Sequence, residues 1–464
     1  MIISINAIKT TPWSLPSVLS KNIFRAHEAL LGRPTFQLWA ELEQTQKLSR
    51  TAIKQLQLNR LQQLLTTALQ HCPWHAERIQ RAGINPQHLD WEQFNKLPLM
   101  SKDDARLHSE KIVWKNAPGG VFRYNTGGST GEPLIFFFGR KRQAADAACR
   151  MRAKRWWGLE PGDKEIFLWG APIELRRTDI IKQIRDRLCN QVLLNAFEMS
   201  SKRMDRYIDI LNAYKPKSIY GYASSLTLLA EYSHKKKKRL TLPTLKVVYA
   251  TGEPLYPHQR EIISSIFNAP VANEYGARDA GLIALESPRG KMHINSEWII
   301  VEIVDKNGNP VSEGDIGEIV ITNLASEVFP FIRYKTGDQG RMEKKQNENS
   351  MSLEILKEVY GRSTDFILRN DGTIMHALSL IYVLRETPGI KQFKIIQNKL
   401  NEIIVQVVPE PELWQDSNIF SIKNSLKKRV GEETTIKINI CEFIKSEKSG
   451  KYRYVVSNVK PNIL

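Results

Sequence analysis

The sequence is poor in cysteine, in long apolar runs, and in acidic residues to balance its lysines and arginines. Its four cysteines, Cys72, Cys149, Cys189 and Cys441, lie far from one another in 464 residues. With no C-x-x-C pair, a thiolate-rich zinc site is disfavoured and a reducing compartment fits. His71, Cys72 and His75 crowd together, but Pro73 interrupts them, and the cluster reads as a helix end rather than a metal site. No stretch approaches the length of a membrane span. The opening residues MIISINAIKTTPWSLP are broken by Asn6, Lys9, Thr10 and Thr11, so no secretory signal is read there. A cytoplasmic protein is expected, with peripheral membrane association left open.

What is present is ordinary globular material, 42% hydrophobic and 25% charged, in a chain long enough for more than one core. The formal net charge is +18, which suits nucleic acid, an anionic membrane surface or an anionic small substrate. No nucleic-acid fold signature accompanies it, so no nucleic-acid partner is expected. The densest basic run, Lys235–Arg239, reads as a solvated loop after a helix.

Residues 17–110 read mostly as helix, with a stripe of Leu56, Leu58, Leu61, Leu64, Leu65 and Ala68 that Pro73 ends. From about 112 to 330, short apolar runs (Glu165–Leu168, Ser218–Gly221, Lys246–Ala250) alternate with helical segments (Arg203–Ala213, Ser225–Ser233). That alternation predicts an α/β layered fold. From 299 to 345 the pattern turns to β-ribbon. A boundary is read near Gly361, dividing a large unit, 1–360, from a small α+β unit, 361–464.

The most informative stretch is Tyr124–Pro133. Thr126, Gly127, Gly128, Ser129, Thr130 and Gly131 put three glycines and three hydroxyls in six residues. Glycine lets the backbone approach a ligand, and exposed N–H groups and hydroxyls can then surround phosphate oxygens. No Gly-Lys-Ser/Thr follows, so this is not a Walker A loop. Gly127-x-Ser129-x-Gly131 also matches the nucleophile elbow of a serine hydrolase, which needs a strand before the serine and a helix after it. Here Leu134–Phe138 reads as a strand, so the context is wrong for a nucleophile at Ser129.

Five further segments complete a pattern. They are Thr251-Gly252-Glu253-Pro254-Leu255, Glu274-Tyr275-Gly276-Ala277-Arg278-Asp279, Arg333–Asp338, Gly361–Asp365 and Lys448–Arg453. With the glycine loop, in this order and at this spacing, they resemble the adenylate-forming superfamily of acyl-CoA synthetases, and within it the phenylacetate–CoA ligase and CapK-like branch. His71–Trp74 and Leu97–Asp104 look like that branch's N-terminal region.

The resemblance implies a large multi-subdomain adenylation domain, a small mobile C-terminal domain, and an AMP-forming ligase. The glycine loop would hold the β- and γ-phosphates of ATP, with Thr130 near the reacting centre. Gly252, Glu253 and Pro254 would border the adenine; Glu274, Tyr275 and Gly276 would line the nucleotide, with Tyr275 stacking near it. Asp279 stands where the family has a glutamate that helps hold Mg²⁺, one methylene shorter. Asp338 would accept the ribose hydroxyls, a task that suits a carboxylate's two oxygens. Arg362 opens the hinge, with Thr364 and Asp365 following. Lys451, after Gly450, would be the catalytic lysine. Trp169, Gly170, Tyr220, Gly221 and Tyr222 would surround a small or flat carboxylic acid. Coenzyme A is the default acceptor; CapK-like members are associated with polysaccharide gene clusters, so another acceptor is kept beside it. A non-catalytic nucleotide-binding protein is the remaining alternative.

Overall fold

The computed structural model describes residues 12–125, 134–169, 177–196, 199–344, 353–362, 366–370, 374–376, 378–445 and 454–459. The described residues form two compact units: those up to Thr336 together with Gly340–Glu358, and Gly337–Gln339 together with those from Val359 onward.

The first unit opens with helices α1 Ser17–Leu30, α2 Thr35–Thr45, α3 Arg50–His71, α4 Pro73–Arg81, α5 Trp91–Asn95, α6 Lys102–Leu107 and α7 Ser109–Ile112. Local chemistry sets their ends. Ser49 caps α3, Pro73 occupies the first turn of α4, and Ser101 and Asp104 make a reciprocal capping box on α6. The long apolar stripe packs Leu61, Leu64, Leu65 and Ala68 against Leu282, Leu285, Trp298, Ile300 and Ile332. Toward the N-terminus of α3 the buried line differs from the predicted one. Ile53, Gln57 and Arg60 face inward while Leu56 and Leu58 are half-buried. The reason is polar: Gln57 Nε2 donates to Ser296 O at 2.7 Å and Arg60 donates to Glu297 O at 2.7 Å, satisfying carbonyls that burial would otherwise orphan.

A hairpin follows, β1 Phe122–Asn125 and β2 Ile135–Phe138, then α8 Arg140–Trp156, β3 Glu165–Trp169, α9 Arg177–Leu188, β4 Gln191–Asn195, α10 Ser201–Tyr214, β5 Ser218–Tyr222, α11 Ala223–Lys235, β6 Val247–Thr251, α12 Pro257–Phe267, β7 Val271–Ala277, β8 Gly281–Glu286 and β9 Met292–Ile294. The seven-stranded sheet runs β4-β3-β5-β6-β7-β8-β9. Strands β4 to β7 are parallel; β8 and β9 return antiparallel. One face carries Ile166, Leu168, Ile219, Val248 and Ala250 against α10, α11 and α12. The other carries Phe167, Tyr220, Val247, Tyr249 and Ala272, with Leu159 and Trp157 beside them. A second sheet orders β10 Ile299–Val304, β11 Gly317–Asn323, β12 Tyr334–Met342 and β13 Leu356–Arg362. Among the described residues no helix is long and apolar enough to cross a membrane.

The second unit contains the hairpin β14 Phe366–Leu368 and β15 Ile374–His376, then α13 Leu378–Glu386, β16 Ile390–Lys399, β17 Glu402–Pro409, α14 Ser417–Val430, β18 Thr435–Ile440 and β19 Val455–Ser457. Its sheet is β18-β17-β16-β19, with Ile395, Ile403 and Val405 buried on it and Ile422, Leu426 and Val430 buried on α14. Gln397, fully buried, bonds both the N–H and the C=O of Leu368 and so ties β14 to β16. The α/β class and the large and small parts read from the sequence are those observed.

Two buried histidines make the first unit acid-sensitive. Burial, then the neighbouring Arg152, lowers the His293 pKa to about 4; burial and Arg78 take His75 well below the usual histidine value. A folded pKa below the unfolded value of about 6.5 means stability is full above pH 6.5 and is lost as pH falls toward 4. His293 alone should withdraw about 3 kcal/mol across that window. Denaturant midpoints measured from pH 7 to pH 4 should fall steeply, and less so for His293→Gln. Parallel curves for the two proteins would refute the assignment.

Candidate active site

Open parallel sheets bind ligands beyond the carboxyl ends of their strands, where the strand order reverses. Here the reversal lies at β3, which has β4 on one side and β5 on the other. Trp169 ends β3 and Tyr222 ends β5, and their rings stack at 4.1 Å and 20°. A Cβ on Gly252, just past β6, would meet the Tyr222 ring at 3.3 Å and the Trp169 ring at 3.6 Å, and its φ of +74° also favours glycine. Three segments far apart in sequence therefore meet at one place. Burial pushes the Tyr222 hydroxyl up to about 12, so the ring is neutral at physiological pH. Glu253 accepts from the N–H of Ser224 at 2.9 Å, in the first turn of α11, which fixes the turn that leads to the exposed Pro254.

The second group lies along β7 and its turn. Glu274 is buried, and protein donors take both of its carboxylate oxygens. Tyr220 OH and Thr251 Oγ1 (3.2 Å) donate to Oε1, and Arg150 approaches through Nε at 3.4 Å and NH2 at 3.5 Å. Burial would lower the Arg150 pKa, but the Glu274 carboxylate outweighs it and holds the guanidinium above its ordinary value. Tyr275 and Gly276 are half-buried. A side chain at Gly276 would run into Gly281 O at 2.5 Å, across the irregular β7–β8 register; Gly221 is likewise closed in by Leu168 O at 2.8 Å.

Asp279 follows in a turn secured from behind. Arg142 of α8 donates to Asp279 O at 3.3 Å, and Asn323 Nδ2 to Ala280 O at 3.0 Å. Arg278 reaches Asn125 O at 3.3 Å, joining this turn to the start of the glycine loop. Asp279 Oδ2 accepts from Tyr334 OH at 2.8 Å and Oδ1 from Ala280 N at 3.1 Å, leaving each oxygen a lone pair. Among the described residues no group of three or more His, Cys, Asp or Glu could hold a metal. One carboxylate with spare lone pairs fits a Mg²⁺ that takes its other ligands from phosphate and water.

The N-terminal motifs are drawn in as supports. His75 donates to Pro330 O at 2.9 Å, Arg78 bonds Pro98 O, and Met100 pairs with the backbone of Arg333 and Lys335 at 2.8 Å. Arg333, at φ 51°, pairs with Glu302 and donates to Asn95 O and Leu97 O, both at 2.6 Å. Asp338 lies on β12, half-buried, in the short stretch grouped with the second unit. Arg362 ends β13. Thr126 to Gly131, Gly170, the hinge residues 363–365 and Lys451 lie outside the described residues. The loop they include is nonetheless bounded by two antiparallel strands, Asn125 opposite Ile135, which is not the strand–turn–helix of a nucleophile elbow.

Sequence reading missed Arg142 and Arg150, and gave no role to Thr251 and Tyr334 although both stand within its motif segments. A signal existed for the first two: Arg142, Asp146, Arg150 and Lys154 recur every four residues along α8, one helix face.

Comparison with known proteins finds matches in both parts of the chain. The family described as AMP-binding enzyme matches residues 189–325, and CapK C-terminal domain matches residues 367–458. Protein CapK of Staphylococcus aureus is 24% identical over 409 residues, 88% of this chain and 89% of that protein. Phenylacetate-coenzyme A ligase of Aromatoleum evansii is 23% identical over 344 residues, 71% and 74% of the two chains. The crystal structure of 2-hydroxyisobutyryl-CoA ligase in the postadenylation state, in complex with R3-HIB-AMP, matches with a TM-score of 0.69 at 20% identity, covering 87% of this chain and 89% of that one. The chain thus carries a segment that matches the AMP-binding enzyme family and a second that matches the CapK C-terminal domain, and over most of its length it is similar to CapK and to AMP-forming CoA ligases.

Proposed function

We propose that the chain activates a small carboxylic acid with ATP and then passes the acyl group on, by default to the thiol of coenzyme A. The observation that carries this reading is the meeting of Trp169, Tyr222 and Gly252 at the switch point of the sheet. In the first step a substrate carboxylate oxygen bonds to the α-phosphorus as the bond to the bridging oxygen breaks, and pyrophosphate leaves. In the second the acceptor attacks the acyl carbon and AMP leaves. No protein nucleophile is needed; alignment of mutually repelling anions and fixed charges do the work.

Thr126, Ser129, Thr130 and the amides of Gly127, Gly128 and Gly131 hold the terminal phosphates. Gly252, Glu253 and Pro254 border the adenine, Tyr275 stacks on it, and the close-packed Gly276 leaves room for it. Asp338 accepts the ribose hydroxyls, and Lys451 brings a positive charge to the carboxylate and α-phosphate. Asp279 would hold Mg²⁺ in part, and the ion would supply neutralisation of phosphate charge. Trp169, Gly170, Tyr220, Gly221 and Tyr222 surround the acid, Trp169 and Tyr222 as a flat wall. The domain boundary falls near Gly361 with Arg362 at its edge, and the protein works in the cytoplasm. The match of residues 367–458 to the CapK C-terminal domain favours one second reading, an acceptor other than coenzyme A, such as an amine, a hydroxyl or a carrier.

The test is ATP–pyrophosphate exchange across a panel of carboxylic acids. Acid-dependent exchange is expected, and exchange with none of them would sink the reading. In the same assay Asp338→Ala should raise the KM for ATP by about tenfold or more, because two hydroxyls lose a charged acceptor worth about 1.5–3 kcal/mol. An unchanged KM in a folded variant would remove Asp338 from the site.

A further inference from the structure

Arginines along α8 differ in a way that ion pairing alone does not require. Arg142 and Arg152 are sealed, with side chains 1% and 0% exposed, whereas Arg150 is 35% exposed although its partner Glu274 is 4% exposed. Arg150 lies 5.6 Å over the Tyr220 ring, and Tyr220 in turn lies 5.6 Å from Trp169. Its guanidinium therefore sits on the same face and at the same strand ends as the flat wall of the proposed acid pocket.

The pairing with Glu274 is long, 3.4 and 3.5 Å, at the limit of a hydrogen bond. Tyr220 and Thr251 hydroxyls already donate to that carboxylate. Nε and NH2 face Glu274, and among the described residues the other terminal nitrogen, NH1, makes no hydrogen bond. A planar guanidinium presents its donors as a fork matched to a carboxylate. One edge is loosely engaged, and the other makes no hydrogen bond among the described residues on a side chain that is 35% exposed beside the Tyr220 ring.

The geometry points to Arg150 as the specificity residue for a carboxylic acid that carries a second, distal hydrogen-bond acceptor, above all a second carboxylate. This rests on the acyl-adenylate reading and narrows its substrate class. One carboxylate of the substrate reacts; the other lies against Arg150, over the ring of Tyr220. Glu274 keeps the guanidinium in place when no substrate is bound.

The experiment uses the full-length protein and matched pairs of acids, succinate with butyrate and terephthalate with 4-methylbenzoate, which differ by a carboxylate in place of a methyl. Pyrophosphate exchange gives kcat/KM for each, and equilibrium dialysis gives binding of each acid without turnover. The natural protein should prefer the dicarboxylic member of at least one pair. Arg150→Lys keeps a counter-charge for Glu274 but loses the fork, and should lower that preference about tenfold or more, through KM for the acid rather than for ATP. Arg150→Met should abolish it. Exchange that shows no dicarboxylate preference, or an equal fall for both members of a pair, overturns the inference and leaves the acyl-adenylate reading standing. Absent exchange with Arg150-dependent binding of the dicarboxylate does the reverse. Absence of both overturns both.

Discussion

Lys451→Ala should lower acid-dependent pyrophosphate exchange by about two to three orders of magnitude, the usual cost of removing a preorganised group that stabilises developing charge. The reason is electrostatic. Two anions, a carboxylate and a triphosphate, must approach within bonding distance, and a lysine aimed between them offsets their repulsion in the transition state. The residue is chosen by its place after Gly450, in the segment between β18 and β19 of the second unit. ATP affinity should change little, since the phosphate and ribose contacts proposed above come from other residues. Acyl transfer from a pre-made adenylate should also be much less affected, because under the proposed function the lysine would have swung away by that step. Both half-reactions should be measured on one preparation. Equal slowing of the two would assign Lys451 a role in folding or general binding, and normal adenylation would point to a different lysine.

Arg333→Met should cost the first unit on the order of 3–5 kcal/mol, the penalty for stripping the partner from a buried charge. Arg333 and Glu302 are 3% and 10% exposed, and Arg333 NH1 also satisfies the carbonyls of Asn95 and Leu97. Removing it leaves a buried carboxylate and the buried Leu97 carbonyl without the donors it supplied, and the part-buried Asn95 carbonyl loses one as well. Denaturant unfolding should show the loss as a lower midpoint with an unchanged slope. The double variant Arg333→Met/Glu302→Leu should recover much of it, because the uncompensated charge is then gone. A single variant as stable as the parent would show that the pair is dispensable.

Much of this was legible in the sequence because the governing signals are local. Strands β3, β5 and β6 announced themselves as short apolar runs, and α10 and α11 as the helical segments between them; each begins and ends within a few residues of its expected place. Trp169 and Tyr222 were named for the site through the family resemblance, not through any local signal of their own. The polar supports were not legible. Arg150 and Glu274 are joined only by folding, and nothing near either residue names the other. The four-residue stripe of Arg142, Asp146, Arg150 and Lys154 looks like the solvated side of a helix. It is a packed side, with Arg142 buried and Asp146, Arg150 and Lys154 half-buried, because the opposing strands supply Glu274 and Glu165 and the β7–β8 turn supplies carbonyls. Hydropathy cannot reveal a helix face whose partners are equally polar. The same blindness misplaced the start of the α3 stripe, where Gln57 and Arg60 are buried for the sake of distant carbonyls.

The packing of α3 has a consequence for how the protein is made. Leu61, Leu64 and Leu65 find their apolar neighbours in Leu282, Trp298, Ile300 and Ile332. On the ribosome these leucines emerge early and their counterparts late. At ~5–20 residues per second the wait is on the order of tens of seconds. During that interval the helical leader can cover part of that face with its own Leu42, Ile79, Ile84 and Phe94, and the cluster is complete only after translation has passed Ile332.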